Sequence, residues 1–339
     1  MPEARQSTGL KPLKTVLIGG GERARTAIYP AFDHLRQQGT VEIAGICHTN
    51  AERREEFAGR YRPGRSYGAG GVHDYKRMLE ELKPEAAVVV GHPNIMYDCW
   101  IRCLEQGLHL FIEKPLGLSI HQARALAALA GRNKRVTQVA FQRRYSPMVT
   151  KLREECLKRG KMTQALCKFY KSEPCDNFRA RDHMMDDTVH AIDTLRWMAG
   201  SEIVKVDSVT GRIGTVDINL ITAQFSFANG CVGHLLNNWS SGKRIFAVEM
   251  HAPGIFVEAE HEGKGYMYTD GNLKPLVFDA AESAGSGELY IYTGVLAAAE
   301  DFVNCCLRGG EPACSFGNSV NTMKIAEVIL AQSLLREGL

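Results

Sequence analysis

No apolar run in the sequence is long enough to cross a membrane, so we expect no membrane-spanning segment and no membrane partner. The first 14 residues are polar and lack the apolar stretch that a signal peptide needs. The 10 cysteines are scattered, without the spacing of a disulfide framework or of a metal site. We therefore expect a cytoplasmic protein with reduced thiols and no bound metal.

A large excess of charge of either sign is also missing. The 41 Lys and Arg against 38 Asp and Glu leave a formal net charge of +3, and both signs are interspersed. This predicts no basic face for nucleic acid. No internal repeat or low-complexity segment is present either. The 339 residues, 45% hydrophobic and 23% charged, are typical of a globular protein with room for two domains.

The first part of the chain alternates short apolar strands with helices. We predict strands at Lys14–Gly19, Val41–Cys47, Ala86–Val90, Leu108–Ile112 and Val136–Phe141. Alternation at this short spacing requires parallel strands with helices on both faces. We therefore predict an α/β fold whose residues 1–143 form a doubly wound parallel sheet of the Rossmann type. Pro30 is an awkward interruption of the helix predicted at Arg23–Gln37.

Near Pro147 the alternation of strands and helices ends. The later strands are predicted at Ala165–Lys171, Ile203–Arg212, Asn219–Phe227, Cys231–Asn237, Phe246–His251 and Ile255–Ala259. Their spacing indicates a large, mostly antiparallel open sheet in an α+β domain over residues 144–339. Helices are predicted at Asp186–Ala199, Val295–Arg308 and Val320–Arg336, and the last two are expected to pack back on the first domain.

In some of these strands, apolar residues occupy positions that face both sides of the sheet, as in Ile203–Val206. In a monomer, one sheet face would leave such residues in water. Large apolar patches on soluble proteins usually have a partner. We therefore expect another subunit to cover this face, in a homodimer or homotetramer.

The segment Gly19–Ala24 fits the pattern G-x-G-x-x-A between a predicted strand and a predicted helix. Gly19 permits the tight turn, Gly21 lets the backbone approach a pyrophosphate, and the small Ala24 allows close packing of helix on strand. The helix N-terminus then points at the anion. The context predicts a dinucleotide site, although a glycine-rich turn alone is also a common way to leave a strand.

The second strand does not end in the acid that usually binds the ribose 2′-hydroxyl. His48-Thr49-Asn50 stands there instead. No carboxylate would repel a 2′-phosphate, and Arg23 and Arg25 are close in sequence, so NADP is as admissible as NAD. His48 is equally interpretable as a surface turn residue.

Glu113 and Lys114 follow the apolar strand Leu108–Ile112 directly, and Pro115 comes next. Open α/β sheets bind their ligands at the carboxyl ends of strands, which is where both residues would lie. Pro115 keeps the backbone of Lys114 out of the helical region and so directs it. A solvated ion pair at the end of a strand is the alternative interpretation.

Asp186, His190 and Asp193 are spaced i, i+4 and i+7, which places them on one stripe of a helix. An imidazole flanked by carboxylates is held in orientation and is suited to proton transfer. Two alternatives remain open for the same triplet. It could be a solvated acidic helix start with an incidental histidine, or a metal site of one histidine and two acids.

Taken together, the chain resembles the family of glucose–fructose oxidoreductase, inositol dehydrogenase and the MocA protein of rhizopine catabolism. The motifs that carry the resemblance occur in the family's order: Gly19–Ala24, Pro93-Asn94, Glu113-Lys114-Pro115, Phe141–Pro147 and the Asp186, His190, Asp193 triplet. The resemblance covers nearly the whole chain, with the C-terminal sheet matched only loosely. His48 departs from the family's usual acid, and Tyr97 stands where many members have a histidine.

The resemblance implies which residues form the site. A lysine, an aspartate and a histidine line the family's nicotinamide pocket, and we predict Lys114, Asp186 and His190 as the catalytic residues. The predicted cofactor-binding residues are Gly19, Gly21, Glu22, Arg23, Ala24, His48, Thr49, Pro93, Asn94, Glu113 and Lys114. The predicted substrate-binding residues are Lys114, Arg181, Asp186, His190 and Asp193. The Lys114–Pro115 peptide is expected to be cis, as it often is in similar proteins.

The family implies an oxidoreductase that uses NAD or NADP to move a hydride to or from a carbinol carbon. The expected substrate is a small carbohydrate-like molecule: a sugar, a polyol or cyclitol, or a glycoside. One alternative is a redox-neutral enzyme that retains its NAD(H) while acting on a glycoside. Another is a non-catalytic regulator that senses a dinucleotide or sugar, although such a protein would not need both Lys114 and His190. Arg179, Arg181 and Trp239 are candidate walls of the substrate pocket.

Overall fold

The computed structural model describes residues 11–173 and 182–337. The chain divides into two compact units, each built from separated segments. The first unit comprises Met1–Glu113, Ala125–Ala140 and Leu296–Phe316. The second comprises Lys114–Arg124, Phe141–Val295 and Gly317–Leu339.

A six-stranded parallel sheet organises the first unit and confirms the predicted Rossmann-type fold. The elements up to the end of this sheet are β1 (Leu13–Gly19), α1 (Tyr29–Gln37), β2 (Val41–Cys47), α2 (Ala51–Tyr61), β3 (Arg65–Tyr67), α3 (Asp74–Leu82), β4 (Ala86–Val90), α4 (Pro93–Glu105), β5 (His109–Ile112), α5 (Ile120–Arg132) and β6 (Thr137–Val139). The strand order is β3-β2-β1-β4-β5-β6. The order reverses between β1 and β4, and the carboxyl ends of strands at such a switch point form the ligand crevice of this fold.

The core of the first unit follows from the apolar strands. All five residues of β4 are buried, as expected for a strand covered by helices on both faces. Phe32 on α1, Phe111 on β5 and Phe302 meet edge to face, with ring centroids 5.3 to 6.4 Å apart. Phe302 belongs to the segment Leu296–Phe316, so this distant part of the sequence completes the first core.

Pro30 is accommodated by a π-helical turn, Ala24–Ile28, which immediately precedes α1. In this wider turn the N–H of Tyr29 bonds the carbonyl of Ala24, five residues back. Pro30 follows this wider turn directly, within the helical segment that starts at Glu22, and the wider turn accommodates the N–H that Pro30 lacks. The predicted interruption is therefore a change of helix type.

An eight-stranded sheet organises the second unit, and it confirms the predicted open, mostly antiparallel sheet. The remaining elements are α6 (Pro147–Arg159), β7 (Gln164–Ser172), α7 (Val189–Ala199), β8 (Ile203–Gly211), β9 (Leu220–Phe227), β10 (Val232–Asn238), β11 (Ser240–Ala252), β12 (Ile255–Glu260), β13 (Lys264–Thr269), β14 (Leu276–Asp279), α8 (Ala280–Ala284), α9 (Leu289–Tyr292), α10 (Val295–Arg308) and α11 (Phe316–Arg336). The order is β14-β13-β12-β11-β7-β10-β9-β8, with β7 and β10 parallel and the other described neighbours antiparallel.

One face of this sheet is covered by helices of the same unit. Helix α6 packs on β11, β12 and β13, and α7 packs on β7 and β10. Helix α11 is joined to β8 through Gln332, which bonds the N–H of Ser208 and the carbonyl of Val206. Along each strand, buried residues alternate with half-exposed ones, so the opposite face is the accessible one.

Across the part of the chain that the structure describes, no helix combines the length and the apolar character needed to cross a membrane.

Candidate active site

The glycine turn lies at the carboxyl end of β1 and begins the helical segment that starts at Glu22. Gly19 has φ +90°, and a Cβ there would lie 2.0 Å from the carbonyl oxygen of Val90, so only glycine fits beside β4. At Gly21 a Cβ would meet nothing within 4 Å, and the residue is exposed. Ala24 is fully buried under the helix. An open glycine backed by a helix N-terminus is a fitting place for the pyrophosphate of a dinucleotide.

His48 packs directly against this turn, because a Cβ on Gly20 would lie 2.3 Å from the His48 Cδ2. The ring Nδ1 accepts the N–H of Asn50 at 3.0 Å. Burial lowers the pKa of His48; the hydrogen bond with the Asn50 backbone opposes this, and the charges of Arg53 and Arg54 lower the pKa further. The guanidinium of Arg54 also bonds the carbonyls of His48 and Thr49. Cations therefore surround the position where an acid would hold the ribose.

The other predicted cofactor residues of the first unit follow β4 and β5. Helix α4 begins at Pro93, and the side chain of His92 caps it by accepting the N–H of Asn94. Glu113 continues β5, since its N–H bonds the carbonyl of Val89 at 3.2 Å. These residues therefore share the carboxyl edge of the sheet with Gly19 and His48.

Lys114 and Asp186 are brought together within the second unit. The Lys114 ammonium donates to Oδ1 of Asp186 at 3.1 Å and also to the backbone carbonyl of Asp186. Their side chains are 13% and 24% exposed, so the pair is neither sealed off nor freely solvated. Two acceptors on one residue fix the ammonium in place. The Lys114–Pro115 peptide is cis, as predicted.

Asp187 forms a second ion pair beside this one. Its Oδ2 accepts the ammonium of Lys171 at 2.7 Å and the indole N–H of Trp239 at 2.9 Å. Burial raises the pKa of Asp187, but the charges of Lys171 and Lys114 and the two hydrogen bonds outweigh it and bring the pKa below its ordinary value. Asp187 is therefore a carboxylate, which pairs with Lys171 while Lys114 pairs with Asp186.

His190 lies at the start of α7 and is 5% exposed. Its ring meets Phe141 edge to face, with 5.7 Å between the ring centroids. Asp186 stands one turn earlier, in a π-helical turn, Met184–Thr188. This wider turn changes the angular spacing of Asp186 and His190 from that of a regular α-helix. Single π-helical turns inside helices are frequent at functional sites.

Asp193 is almost completely buried, with its side chain 1% exposed. Arg144 donates to both carboxylate oxygens of Asp193. Its Nε lies 2.8 Å from Oδ2. The hydroxyl of Thr322 donates to Oδ1 at 3.3 Å, and Arg196 lies 4.0 Å away. All of these partners are the protein's own side chains. That Asp193 contacts substrate stays a prediction, and its geometry is that of an ion pair which holds α7.

Two of the residues predicted from the sequence, Arg179 and Arg181, lie outside the described residues. The third candidate wall residue, Trp239, is fully buried and stacks on His183 at 4.4 Å. Trp239 therefore holds Asp187 through its indole N–H and does not line an open pocket. Sequence reasoning missed Asp187 and Lys171, because an acid at a helix start and a lysine at a strand end usually indicate solvent-exposed residues. A tryptophan that needs a buried acceptor was the available signal.

Comparison with known proteins gives relatives that align with half of the chain or with nearly all of it. The rhizopine catabolism protein MocA of Rhizobium meliloti is 24% identical over 327 residues, which cover 92% of each chain. Inositol 2-dehydrogenase 3 of Saccharopolyspora erythraea is 26% identical over 187 residues, 53% of this chain and 54% of that protein. The solved structure of levoglucosan dehydrogenase with NADH and levoglucosan superimposes with a TM-score of 0.81 at 18% identity, over 95% and 97% of the two chains.

Two family models match consecutive parts of the chain. Residues 13–141 match the oxidoreductase family with an NAD-binding Rossmann fold. Residues 160–252 match the C-terminal domain of the same GFO/IDH/MocA family. Two models of one family thus match most of the chain, and the chain therefore belongs to the GFO/IDH/MocA family of NAD-binding oxidoreductases.

Proposed function

We propose that the protein transfers a hydride between the nicotinamide of NAD or NADP and a carbinol carbon of a sugar, polyol, cyclitol or glycoside. The observation that carries this proposal is the fixed Lys114 ammonium, which Asp186 holds in a partly buried position at the base of α7. Membership of the family supports it. So does its similarity to an inositol dehydrogenase and to a levoglucosan dehydrogenase.

Each catalytic residue has a separate role in this proposal. When bound, the nicotinamide supplies the hydride chemistry. In the oxidation direction, His190 takes the proton of the reacting hydroxyl as general base. Lys114 stabilises the negative charge that develops on that oxygen. Asp186 orients Lys114 through the ion pair and, one turn before His190, favours the protonated imidazole that forms.

The remaining sequence predictions enter the proposal in the same way. The glycine turn holds the pyrophosphate at the N-terminus of the helical segment that Glu22 and Arg23 begin, and Ala24 packs this segment closely on β1. The carboxyl ends of β2, β4 and β5 supply the other cofactor contacts: His48, Thr49, Pro93, Asn94 and Glu113. Lys114, Asp186, His190 and Arg181 contact the substrate. Asp193 holds α7 through Arg144, and its contact with the substrate stays a prediction.

A panel of sugars, cyclitols and glycosides, offered with NAD⁺ and with NADP⁺, tests the function through the absorbance of the reduced nicotinamide. We expect at least one member to be oxidised. Binding of NADH or NADPH, followed by nicotinamide fluorescence, is the parallel measurement. A protein that binds neither dinucleotide would contradict the proposal. Binding without turnover of any member would favour a sensor instead.

Oxidation should depend on pH through His190, because a protonated imidazole cannot accept the hydroxyl proton. The rate of the wild-type protein should therefore fall as the pH is lowered. In His190→Gln the rate should be low throughout and lose this dependence. His121→Gln, which changes an exposed histidine near the start of α5, is the control and should keep the wild-type profile. An unchanged profile in His190→Gln would show that His190 has only a structural role.

We also propose that a second copy of the chain covers the accessible face of the eight-stranded sheet. That face carries a row of stacked rings, His251 on Phe256 at 4.8 Å and Phe256 on Tyr268 at 5.6 Å. Leu166 and Leu236 lie half-exposed on the same face. These apolar side chains lie beside the ion pair between Lys168 and Glu249, and an apolar core with a polar surround is typical of a subunit interface.

Light scattering is therefore expected to give the mass of a dimer or tetramer. Phe256→Asp should lower the mass toward that of a monomer, because a carboxylate would enter the buried interface. Leu273→Asp, in the exposed turn before β14, is the matched control and should leave the mass unchanged. A monomeric wild-type protein at micromolar concentration would rule this proposal out.

A further inference from the structure

A cavity of about 360 Å³ lies in the second unit at the carboxyl end of α7. Three arginines line it: Arg144, Arg153 and Arg196. The rest of its wall includes Trp197, Gly200 and Glu202. Neither the cofactor residues nor the catalytic residues belong to this wall, so the cavity is a separate feature of the fold.

Two of the three guanidinium groups are neutralised within the protein. Arg144 is paired with the buried carboxylate of Asp193. Arg196 binds both oxygens of Glu202, at 3.0 and 2.5 Å. Two carboxylates thus pair with two of the three arginines. One positive charge at the cavity is left without an ion-pair partner.

That charge belongs to Arg153. Its guanidinium lies over the ring of Trp197, with 4.9 Å between Cζ and the ring centroid. Among residues 11–173 and 182–337 it forms no hydrogen bond and no ion pair, and its buried Nε has no partner. Burial and the nearby charge of Arg144 lower the pKa of Arg153. Its surroundings therefore disfavour the charge that it carries.

Two neighbours define the position of the Arg153 guanidinium at the cavity wall. The Trp197 ring lies within cation–π distance of the guanidinium and accepts none of its N–H groups as a salt-bridge partner would. Gly200, with φ +62°, ends α7 beside it. A Cβ on Gly200 would lie 3.1 Å from Nη2 of Arg153, so the glycine keeps this side of the cavity open.

We propose that this cavity binds the carboxylate or phosphate group of a small anionic molecule, with Arg153 as its principal ligand. A planar guanidinium can donate two parallel hydrogen bonds to such a group, which matches the geometry of both anions. The site is independent of the proposed hydride transfer, because none of the proposed catalytic residues contributes to it. Binding to the folded protein should also raise its thermal stability.

Titration of the full chain with inorganic phosphate, and separately with citrate, tests this site by calorimetry. The wild-type protein should bind at least one of the two saturably. Arg153→Gln should weaken that binding by about tenfold or more. Lys158→Gln removes the same charge from the same helix at an exposed position, and it should bind like the wild type. Comparison of the variants separates this site from any anion at the glycine turn, which none of them alters.

Arg153→Lys provides a second variant if the glutamine variant does not fold. It retains the positive charge but loses the paired donors, so its affinity should also fall, by a smaller factor. Because Trp197 lies beside Arg153, anion binding should change the tryptophan fluorescence of the wild type, and this change should disappear in Trp197→Phe. Two results would overturn the proposal: no saturable binding of either anion by the wild type, or equal affinity in the wild type and in the Arg153 variants. A preference for phosphate over citrate, or the reverse, would identify the class of the natural ligand.

Discussion

Lys114→Ala should lower kcat by about 100-fold or more while cofactor affinity stays nearly unchanged. Lys114 is assigned to the reacting oxygen, where its preorganised ammonium stabilises charge that appears only in the transition state. The ion pair with Asp186 shows how the ammonium is held in place before substrate binds. Steady-state kinetics and nicotinamide fluorescence on the same preparation measure the two quantities.

The control for this substitution is Lys205→Ala on β8. Lys205 pairs with Asp207 at an exposed position, and its side chain is 68% exposed. Lys205→Ala therefore removes the same charge as Lys114→Ala but does not alter the candidate active site. Its kcat should equal that of the wild type. A Lys114→Ala protein with wild-type kcat would remove Lys114 from the mechanism. A weaker cofactor affinity with unchanged kcat would assign Lys114 to dinucleotide binding.

The second large effect concerns the stability of the second unit. Asp193→Asn should lower the free energy of unfolding by about 3–5 kcal/mol, because it leaves the buried Arg144 guanidinium without its counter-charge. The side chains of Arg144 and Asp193 are 6% and 1% exposed, so water cannot replace the lost partner. Urea denaturation followed by circular dichroism measures the change.

An exposed ion pair in the same unit provides the matched control. Asp270→Asn breaks the pair between Arg159 and Asp270, whose side chains are 40% and 64% exposed, and it should cost less than about 1 kcal/mol. Replacing both buried partners, Arg144→Met with Asp193→Leu, should recover most of the stability. If Asp193→Asn is as stable as the wild type but raises KM, Asp193 belongs to the substrate site, as the sequence predicted.

The parallel sheet was the part of the fold most accessible from sequence. The predicted strands Val41–Cys47 and Ala86–Val90 coincide with β2 and β4, because strands buried on both faces are continuous apolar runs. Strand β3 (Arg65–Tyr67) escaped prediction, since its first two residues are exposed and polar. Strand β13 (Lys264–Thr269) escaped for a similar reason, because its glycine and tyrosines form no β-branched run.

Local sequence patterns could not predict where the chain passes from one unit to the other, or which turns are π-helical. Residues 114–124 join the second unit and residues 296–316 the first, which depends on contacts between distant parts of the sequence. A regular helix was assumed at Asp186, whereas the turn there is π-helical. The partners of Asp187, Lys171 and Trp239, stand 16 residues before it and 52 residues after it, so their burial as a cluster appears only in three dimensions.

The central claim is that a hydride passes between a substrate carbon and C4 of the nicotinamide. The most direct measurement follows deuterium from sugars, cyclitols and glycosides that are labelled at their carbinol carbons, with NAD⁺ or NADP⁺ present. Mass spectrometry of the cofactor should find the label on C4 with the wild-type protein and far less of it with Lys114→Ala. Label on protein-bound cofactor alone would indicate a redox-neutral enzyme. An unlabelled cofactor with every substrate, in a protein that binds the dinucleotide, would contradict hydride transfer.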